Sequence, residues 1–434
     1  MATFARRLTL FDLVLIATGA CIGSGIFRTP SQVAAALPSG PWMLFAWVLG
    51  GLVTLAGALT FAELATAMPR AGGMYEWLTE AFGGLVGFLQ GWAYFLVVAT
   101  GSIAALALVF AEYVGYFVPL GRAGASAVAI AALVVLAGVN IAGVRLAAAI
   151  GDALTLAKLA ALAAIVVMGF VGTRAAGAGA GAAPPAGAGL GAAMIGVLWS
   201  YGGWQHASFV AGEARHPARD VPRGMILGTA LVTLAYALAN VAYLRLLPVD
   251  AIVRSPHVAS DAASVAAGSV GASLVSAAIA VSALGTAGIY MLTAPRLYWG
   301  MAERGLFFRG VARLHPVWRT PVRGILLQTA WAIALILAWG TFEGLISYVL
   351  FVDWLFFGLT AAAVFVLRRR RGAPADYRVP GYPVVPAVFV AVSAWFVAST
   401  LVAQPTQALA GAALLALGLP VYAVWSRRRT RSAS

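Results

Sequence analysis

Three stretches of the sequence hold residues whose types and spacing could do chemistry. "GACIGSGIF" (19–27) sets Gly19, Gly23 and Gly25 into an apolar run, and "LWSYGGWQH" (198–206) sets Gly202 and Gly203 into another. Each glycine weakens a helix by about 1 kcal/mol relative to alanine, so both runs are expected to unwind. Unwinding frees amides at the start of one half-helix and carbonyls at the end of the other. The amides near Ser24 and Gly25 then head a half-helix whose dipole favours an anion. The carbonyls of Ala20, Cys21 and Ile22, with Trp199 and Ser200 opposite, favour a cation. An anion site beside a cation site suits a zwitterion, an α-amino acid. The third stretch, "GDALTLAKLAALAAIVVMGF" (151–170), carries Lys158, the one lysine of a chain whose other 27 cations are arginine.

The elements that must position these residues follow from composition. With 62% hydrophobic and 10% charged residues and a mean hydropathy of +0.93, the chain lies far from soluble domains, which carry about 25% charge. It reads as an all-α polytopic membrane protein, since its apolar runs match the ~20 residues that cross ~30 Å of hydrocarbon as a helix. Twelve runs are expected, near 10–37, 42–66, 84–118, 124–143, 150–172, 192–213, 224–247, 264–300, 322–341, 345–367, 385–403 and 406–426. The runs at 84–118 and 264–300 exceed bilayer thickness, which implies tilt or extension beyond the membrane. Arg6 and Arg7 before an apolar run resemble a signal peptide, but the run continues into glycines and reads as one interrupted helix.

The net charge of +14 is explained by topology rather than by a nucleic-acid partner. Arginines concentrate in alternate connections: Arg6/Arg7, Arg70, Arg145, Arg215 to Arg223, Arg296 to Arg323, Arg368 to Arg378 and Arg427 to Arg431. The positive-inside rule then puts both termini in the cytoplasm. The low-complexity connection 173–191 divides the first ten spans into two groups of five. Five is odd, so the groups enter the membrane in opposite senses and can form an inverted repeat. The chain is expected to be a single transmembrane domain: repeat one at about 8–172, repeat two at about 192–367, and two further helices within 385–426. The breaks fall in the first helix of each group, the sequence pointer to a midplane site in such transporters. Glycines that merely let helices pack closely are the competing reading.

With these residues in order, the chain resembles the amino acid–polyamine–organocation superfamily of permeases, and most of all the amino-acid permeases related to the light chains of heteromeric transporters. "GACIGSGIF", "PRAGGMYEWL" (69–78), "SYGGWQHASFVAGEARHPARDVPRG" (200–224), "AERGLFFRGVARLHPVWRTPVRGILL" (302–327) and "YRVPGYPVVP" (377–386) carry the likeness. It implies a five-plus-five inverted repeat with discontinuous first and sixth helices. It also implies the substrate carboxylate on the amides of Ser24 and Gly25 and the amine on carbonyls around Cys21, Ile22 and Trp199, and Ala20, Gly23, Ser200 and Gly202 are expected in the same substrate site. Trp199 would gate the site. Light chains of the animal complexes bond a partner through a cysteine in the loop after the third helix; "PLGRAGASA" (119–127) has none, so no disulfide-linked heavy chain is expected.

Lys158 lies about 12 Å into its span at 1.5 Å per residue. One reading is snorkelling to the interface. The other, which the resemblance supplies, makes it an internal cation where sodium-coupled relatives hold an ion, donating to carbonyls near Gly19 and to the region of Ser282 and Thr286. Asp353 is an intramembrane carboxyl and a candidate for coupling, for substrate contact or for pairing with a polar neighbour. His206 is a candidate proton relay, titrating near neutral pH, or a satisfied buried histidine. Glu63 and Glu112 read as structural, and Glu213, Arg219 and Pro222 as fixing the end of the sixth span.

The expected activity is secondary transport of neutral L-amino acids by alternating access, as an exchanger or proton-coupled carrier without sodium. No acidic residue stands at either break to receive a cationic side chain. A cationic amino-acid or polyamine antiporter and a non-transporting amino-acid receptor are the alternatives. No cofactor, metal or enzymatic nucleophile is expected, and the partners are the amino acid and the lipid bilayer.

Overall fold

Apolar runs of this length can satisfy their backbone groups in hydrocarbon only by helix formation, and they do so in the computed structural model. The described residues are 4–37, 39–172, 189–339, 342–371, 377–403 and 405–431. Most of the connection read at 173–191 lies outside them. In chain order the helices are α1 (Leu10–Cys21), α2 (Gly25–Ala36), α3 (Gly40–Ala67), α4 (Met74–Phe82), α5 (Gly84–Ala93), α6 (Thr100–Gly115), α7 (Arg122–Ile141), α8 (Val144–Val171) and α9 (Gly189–Ser200). They continue as α10 (His206–Phe209), α11 (Pro217–Leu246), α12 (Val249–Arg254), α13 (Val258–Glu303), α14 (Val322–Trp339), α15 (Phe342–Arg371), α16 (Val384–Ala403) and α17 (Pro405–Arg431). A π-helical segment, Tyr94–Ala99, joins α5 to α6.

Among the described residues nine helices are long and apolar enough to cross a membrane, Gly84–Gly115 counting as one, and α1 with α2, bent by 41°, would make a tenth. The two overlong runs are accommodated in different ways. Within α13 the backbone leaves helical geometry at Ala267 and Gly268, where Gly268 takes φ +64°, so the residues before Ala267 form a separate arm. The run at 84–118 stays helical to Gly115 and absorbs a π-turn. The short α4, which begins within the "PRAGGMYEWL" motif, falls outside the expected runs because it is nine residues long and shields Met74, Tyr75 and Trp77 with one face.

Charged side chains staple the ends of the helices. Glu63 on α3 accepts two hydrogen bonds from Arg368 on α15, each 2.6 Å, and a third from the Val379 amide at 2.7 Å. The Arg368 guanidinium also lies 3.7 Å from the centre of the Tyr382 ring. Arg28 on α2 pairs with Glu112 on α6 at 2.7 Å. Both glutamates are thus structural, as the sequence reading has them. Arg219 pairs with its neighbour Asp220 in the first turn of α11, and Pro222 lies inside that helix.

Glu213 does more than end the sixth span. Its carbonyl takes the amides of Arg7 and Leu8 at 2.8 and 3.0 Å, drawing the N-terminal segment across the bundle. Its carboxylate takes Arg296 Nε at 2.7 Å, and both side chains are almost wholly buried, at 1% and 0% exposure. Removing one member of such a pair leaves an uncompensated buried charge, which costs about 3–5 kcal/mol. Arg296→Met is therefore expected to lower thermal stability in detergent sharply. The double change Arg296→Met/Glu213→Leu should recover most of the loss; equal damage from the single and double variants would show that packing, not charge, dominates.

Candidate functional site

The first break is built by the sequence "CIGSG". Ile22 leaves the helix at φ −78°, ψ 77°, and α2 restarts at Gly25 with Ser24 as its N-cap. The second break runs from Tyr201 to Gln205, where α9 ends in turns before the one-turn helix α10. Gly203 adopts φ +124°, and a Cβ there would lie 2.5 Å from the carbonyl carbon and oxygen of Ala20. Only glycine permits the two breaks to approach so closely. Gly25 has the same role from the other side: its Cβ would meet Ser200 Oγ at 2.5 Å and Ser200 Cα at 2.8 Å.

Lys158, fully buried on α8, reaches the first break. Its Nζ donates to the carbonyls of Gly19 (2.9 Å), Ile22 (2.8 Å) and Ser282 (3.2 Å) and lies 2.8 Å from Thr286 Oγ1. An ammonium has three protons, so the fourth contact is shared. Ser282 Oγ adds donations to Ile22 O at 3.0 Å and Gly23 O at 3.1 Å. The snorkelling alternative does not describe this geometry, because the ammonium is held at the break. Ile22, expected among the carbonyls facing a ligand, is turned the other way; its oxygen is engaged by Lys158, Ser282 and Thr286, and it does not line the cavity below.

A second brace comes from a residue that sequence reading missed. Tyr236, buried on α11, directs its hydroxyl at both breaks, 2.9 Å from Cys21 O and 2.9 Å from Ser200 O. Nothing in an isolated tyrosine of an apolar span signals this. Cys21 Sγ lies 3.4 Å from Tyr201 O, a third tie between the breaks.

Between the breaks lies a cavity of about 30 Å³, room for one or two waters. Ala20, Cys21, Gly23, Ser24, Gly25, Trp199, Ser200 and Gly202 line it, as do Thr286 and Asp353. The amides that open α2 have no intrahelical acceptor, and Ser24 Oγ is buried without a partner. Ser102, Leu106, Tyr290, Trp354 and Phe357 are among the residues that complete the wall.

The two titratable candidates part company here. His206 does not line the cavity: Nε2 lies 3.0 Å from Tyr94 Oη and Nδ1 bonds Thr293 Oγ1. The Thr293 hydroxyl donates to Ile289 O at 2.8 Å, so it accepts from Nδ1–H, which leaves Nε2 to accept from Tyr94. Both ring nitrogens are engaged. Asp353 lines the cavity and makes no hydrogen bond or ion pair among the described residues.

The comparison with known proteins accords with this geometry. A family model described as "Amino acid permease" matches residues 8–424. The chain belongs to the amino acid permease family. The serine/threonine exchanger SteT of Bacillus subtilis is 34% identical to this permease over 425 residues, covering 97% of the chain and 96% of the exchanger. Asc-type amino acid transporter 1 of Mus musculus is 32% identical over 430 residues, 96% of the chain and 80% of that protein. Large neutral amino acids transporter small subunit 2 of Homo sapiens is 31% identical over 436 residues, again 96% and 80%. The permease is thus a multi-pass membrane protein of a transporter family, not an enzyme, and among the described residues no group of side chains could hold a metal ion.

The close approach at Gly25 generates a direct test. Gly25→Val forces branched carbons into Ser200 and is expected to weaken amino-acid binding at least tenfold, a factor of about 1.4 kcal/mol. The check is ligand-induced stabilisation against thermal unfolding. Undiminished stabilisation would show that the ligand lies elsewhere.

Proposed function

We propose that this permease is a secondary carrier of neutral L-amino acids, sodium-independent, working by alternating access as an exchanger or proton-coupled carrier. In this reading twelve spans form a five-plus-five inverted repeat, with repeats at about 8–172 and 192–367 and an appended pair within 385–426. Both termini face the cytoplasm of a cell membrane. The observation that carries the reading is the meeting of two unwound breaks at one cavity, where free α2 amides and Ser24 stand beside the carbonyl ends of α1 and α9. The amides suit the substrate carboxylate and the carbonyls of Ala20 and Trp199 its ammonium, the expected Cys21 carbonyl being taken by the Tyr236 hydroxyl and the Gly23 amide, with the half-buried Trp199 as gate.

Charge favours a neutral substrate over a cationic one. Lys158 is one potential cation against the cavity wall, through Thr286, and Asp353 is one potential anion in it. The pair sums to zero, so a zwitterion adds no surplus, whereas arginine or a polyamine would leave an uncompensated charge at membrane depth, a state costing several kcal/mol. Sodium independence is supported by Lys158, whose ammonium occupies the carbonyls that an ion would otherwise need. Of the coupling candidates, Asp353 faces the cavity and His206 serves as a strut between α10, α13 and the π-helical segment. A disulfide-linked partner is not part of the reading, since the single cysteine, Cys21, is buried at the break.

Reconstitution in proteoliposomes tests the carrier. Labelled neutral amino acids should enter vesicles preloaded with unlabelled substrate at equal rates in sodium and in potassium buffers; faster entry in sodium would overturn the role of Lys158. Binding without flux under any gradient would leave a receptor instead. Lys158→Ala removes the charged donor shared by three carbonyls and a hydroxyl, and a hydrogen bond to a charged group contributes about 1.5–3 kcal/mol. It is expected to reduce exchange more than tenfold in protein that remains folded by size-exclusion, and unchanged kinetics would remove the internal-cation role.

A further inference from the structure

A second cavity, of about 680 Å³, lies away from the breaks on the arginine-rich side of the bundle. Its size falls within the ~300–1,000 Å³ of sites that hold small organic molecules. One wall is the segment before α1. Arg7 and Leu8 donate their amides to Glu213 O, and Arg215 returns one to Leu8 O at 2.9 Å, which lays Phe4 edge-on against Trp299 with 4.7 Å between ring centres. Arg6 belongs to the same wall. A second wall is the connection from α3 to α4, where Gly72, at φ +107°, donates to Phe209 O at 3.3 Å and brings Arg70 and Ala71 to the cavity. The end of α13 supplies the third, with Trp299, Glu303 and Arg304. Among the described residues five charged side chains line this space, and they are not equivalent. Arg304 donates through Nε to Glu76 Oε1 at 3.0 Å and through Nη2 to Oε2, a closed pair that spends both. Arg6, Arg70 and Glu303 make no ion pair or side-chain hydrogen bond among the described residues.

Arginines that only set topology need do no more than reach water. Arg6 and Arg70 instead come from two separate segments to one concave space, where guanidiniums without counter-ions focus positive potential. A guanidinium binds phosphate oxygens through paired hydrogen bonds, and Glu303, on the same cavity, accepts from a cation. We propose that this cavity binds a small phosphate ester that also carries an amine, its phosphate held by Arg6 and Arg70 and its ammonium by Glu303. That chemistry occurs both in free aminoalkyl phosphates and in the headgroups of aminophospholipids. Charge favours the free ester. Two guanidiniums and one carboxylate leave one positive charge unspent; a phosphate monoester, near two negative charges at neutral pH, matches it after its own ammonium is counted, whereas a lipid diester with its ammonium is neutral. The bound ester ties the N-terminal segment, through Arg6, to the α3–α4 connection and to α13. That segment runs directly into α1, so the ligand holds the first half of the broken span in place. Placing the cavity on the cytoplasmic side rests on the topology above; the binding is independent of amino-acid carriage.

The test is stabilisation of the purified full chain against thermal unfolding by O-phosphoethanolamine, compared with glycerol 3-phosphate, ethanolamine and inorganic phosphate at equal ionic strength. Phosphoethanolamine should act at concentrations about tenfold below the other three. Arg6→Gln and Arg70→Gln should each raise the concentration needed by about tenfold or more, the scale of a lost hydrogen bond to an ion. Both side chains are exposed, so the variants should fold. Arg145→Gln, at an exposed arginine outside the cavity, should change nothing. Glu303→Gln should keep the phosphate response and bring phosphoethanolamine to within about threefold of glycerol 3-phosphate. Hydrogen exchange reads the tie itself: the ligand should slow exchange of the Arg7 and Leu8 amides severalfold. A lipid source shows instead as stabilisation by phosphatidylethanolamine over phosphatidylcholine in nanodiscs, lost in the same two arginine variants, with no response to the soluble ester. Equal response to inorganic phosphate and phosphoethanolamine overturns the site as an ion site only. So does no response to ester or lipid, or a response that Arg145→Gln weakens as much as Arg6→Gln and Arg70→Gln do.

Discussion

A helix that stops in the middle of a bilayer exposes carbonyls that no water reaches, and such groups persist only where protein or ligand satisfies them. Here the ammonium of Lys158 does so. It gathers Gly19 and Ile22 from α1 and Ser282 and Thr286 from α13 around one point. The bend between α1 and α2, the orientation of the α2 amides and the position of the cavity all depend on that gathering. A lysine meets the need where an arginine would not: its charge is compact and its three donors rotate freely, whereas a planar guanidinium needs acceptors in a fork.

The second constraint is the distance between the two breaks. Gly203 and Gly25 remove the side-chain atoms that would hold them apart, and the Tyr236 hydroxyl, placed against Cys21 O and Ser200 O, fixes how near they come. Lys158 and Tyr236 thus both brace the first break, one with charge and one without. Between them the remaining carbonyls and amides stay available in a cavity of about 30 Å³.

Much of this was legible in the sequence. Glycines at 19, 23, 25, 202 and 203 marked both breaks, because glycine's effect on a helix is local. The lone lysine marked itself by composition. The overlong run at 264–300 announced a departure from a plain span, though not that Gly268 would break it at φ +64°. What stayed hidden were roles set by direction rather than by residue type. The Ile22 carbonyl turns toward Lys158 and not toward the cavity. His206, one residue past a break and titratable, has both nitrogens spent on Tyr94 and Thr293. Tyr94 itself stands at the head of a π-turn, a helical irregularity frequent at functional sites.

Sequence by itself determined that the chain spans a membrane as helices, that two of those helices break, and that one cation lies inside. These follow from hydropathy, from glycine's backbone freedom and from the cost of charge in hydrocarbon, all properties of residues taken one stretch at a time. Tertiary structure decided which carbonyls the ammonium takes, how close the breaks stand, and which polar groups are left facing the cavity without partners. Those depend on the facing of α6, α8, α11, α13 and α15 around the breaks, and facing is fixed by packing between segments distant in sequence, which a helical span hydrophobic on every side does not encode.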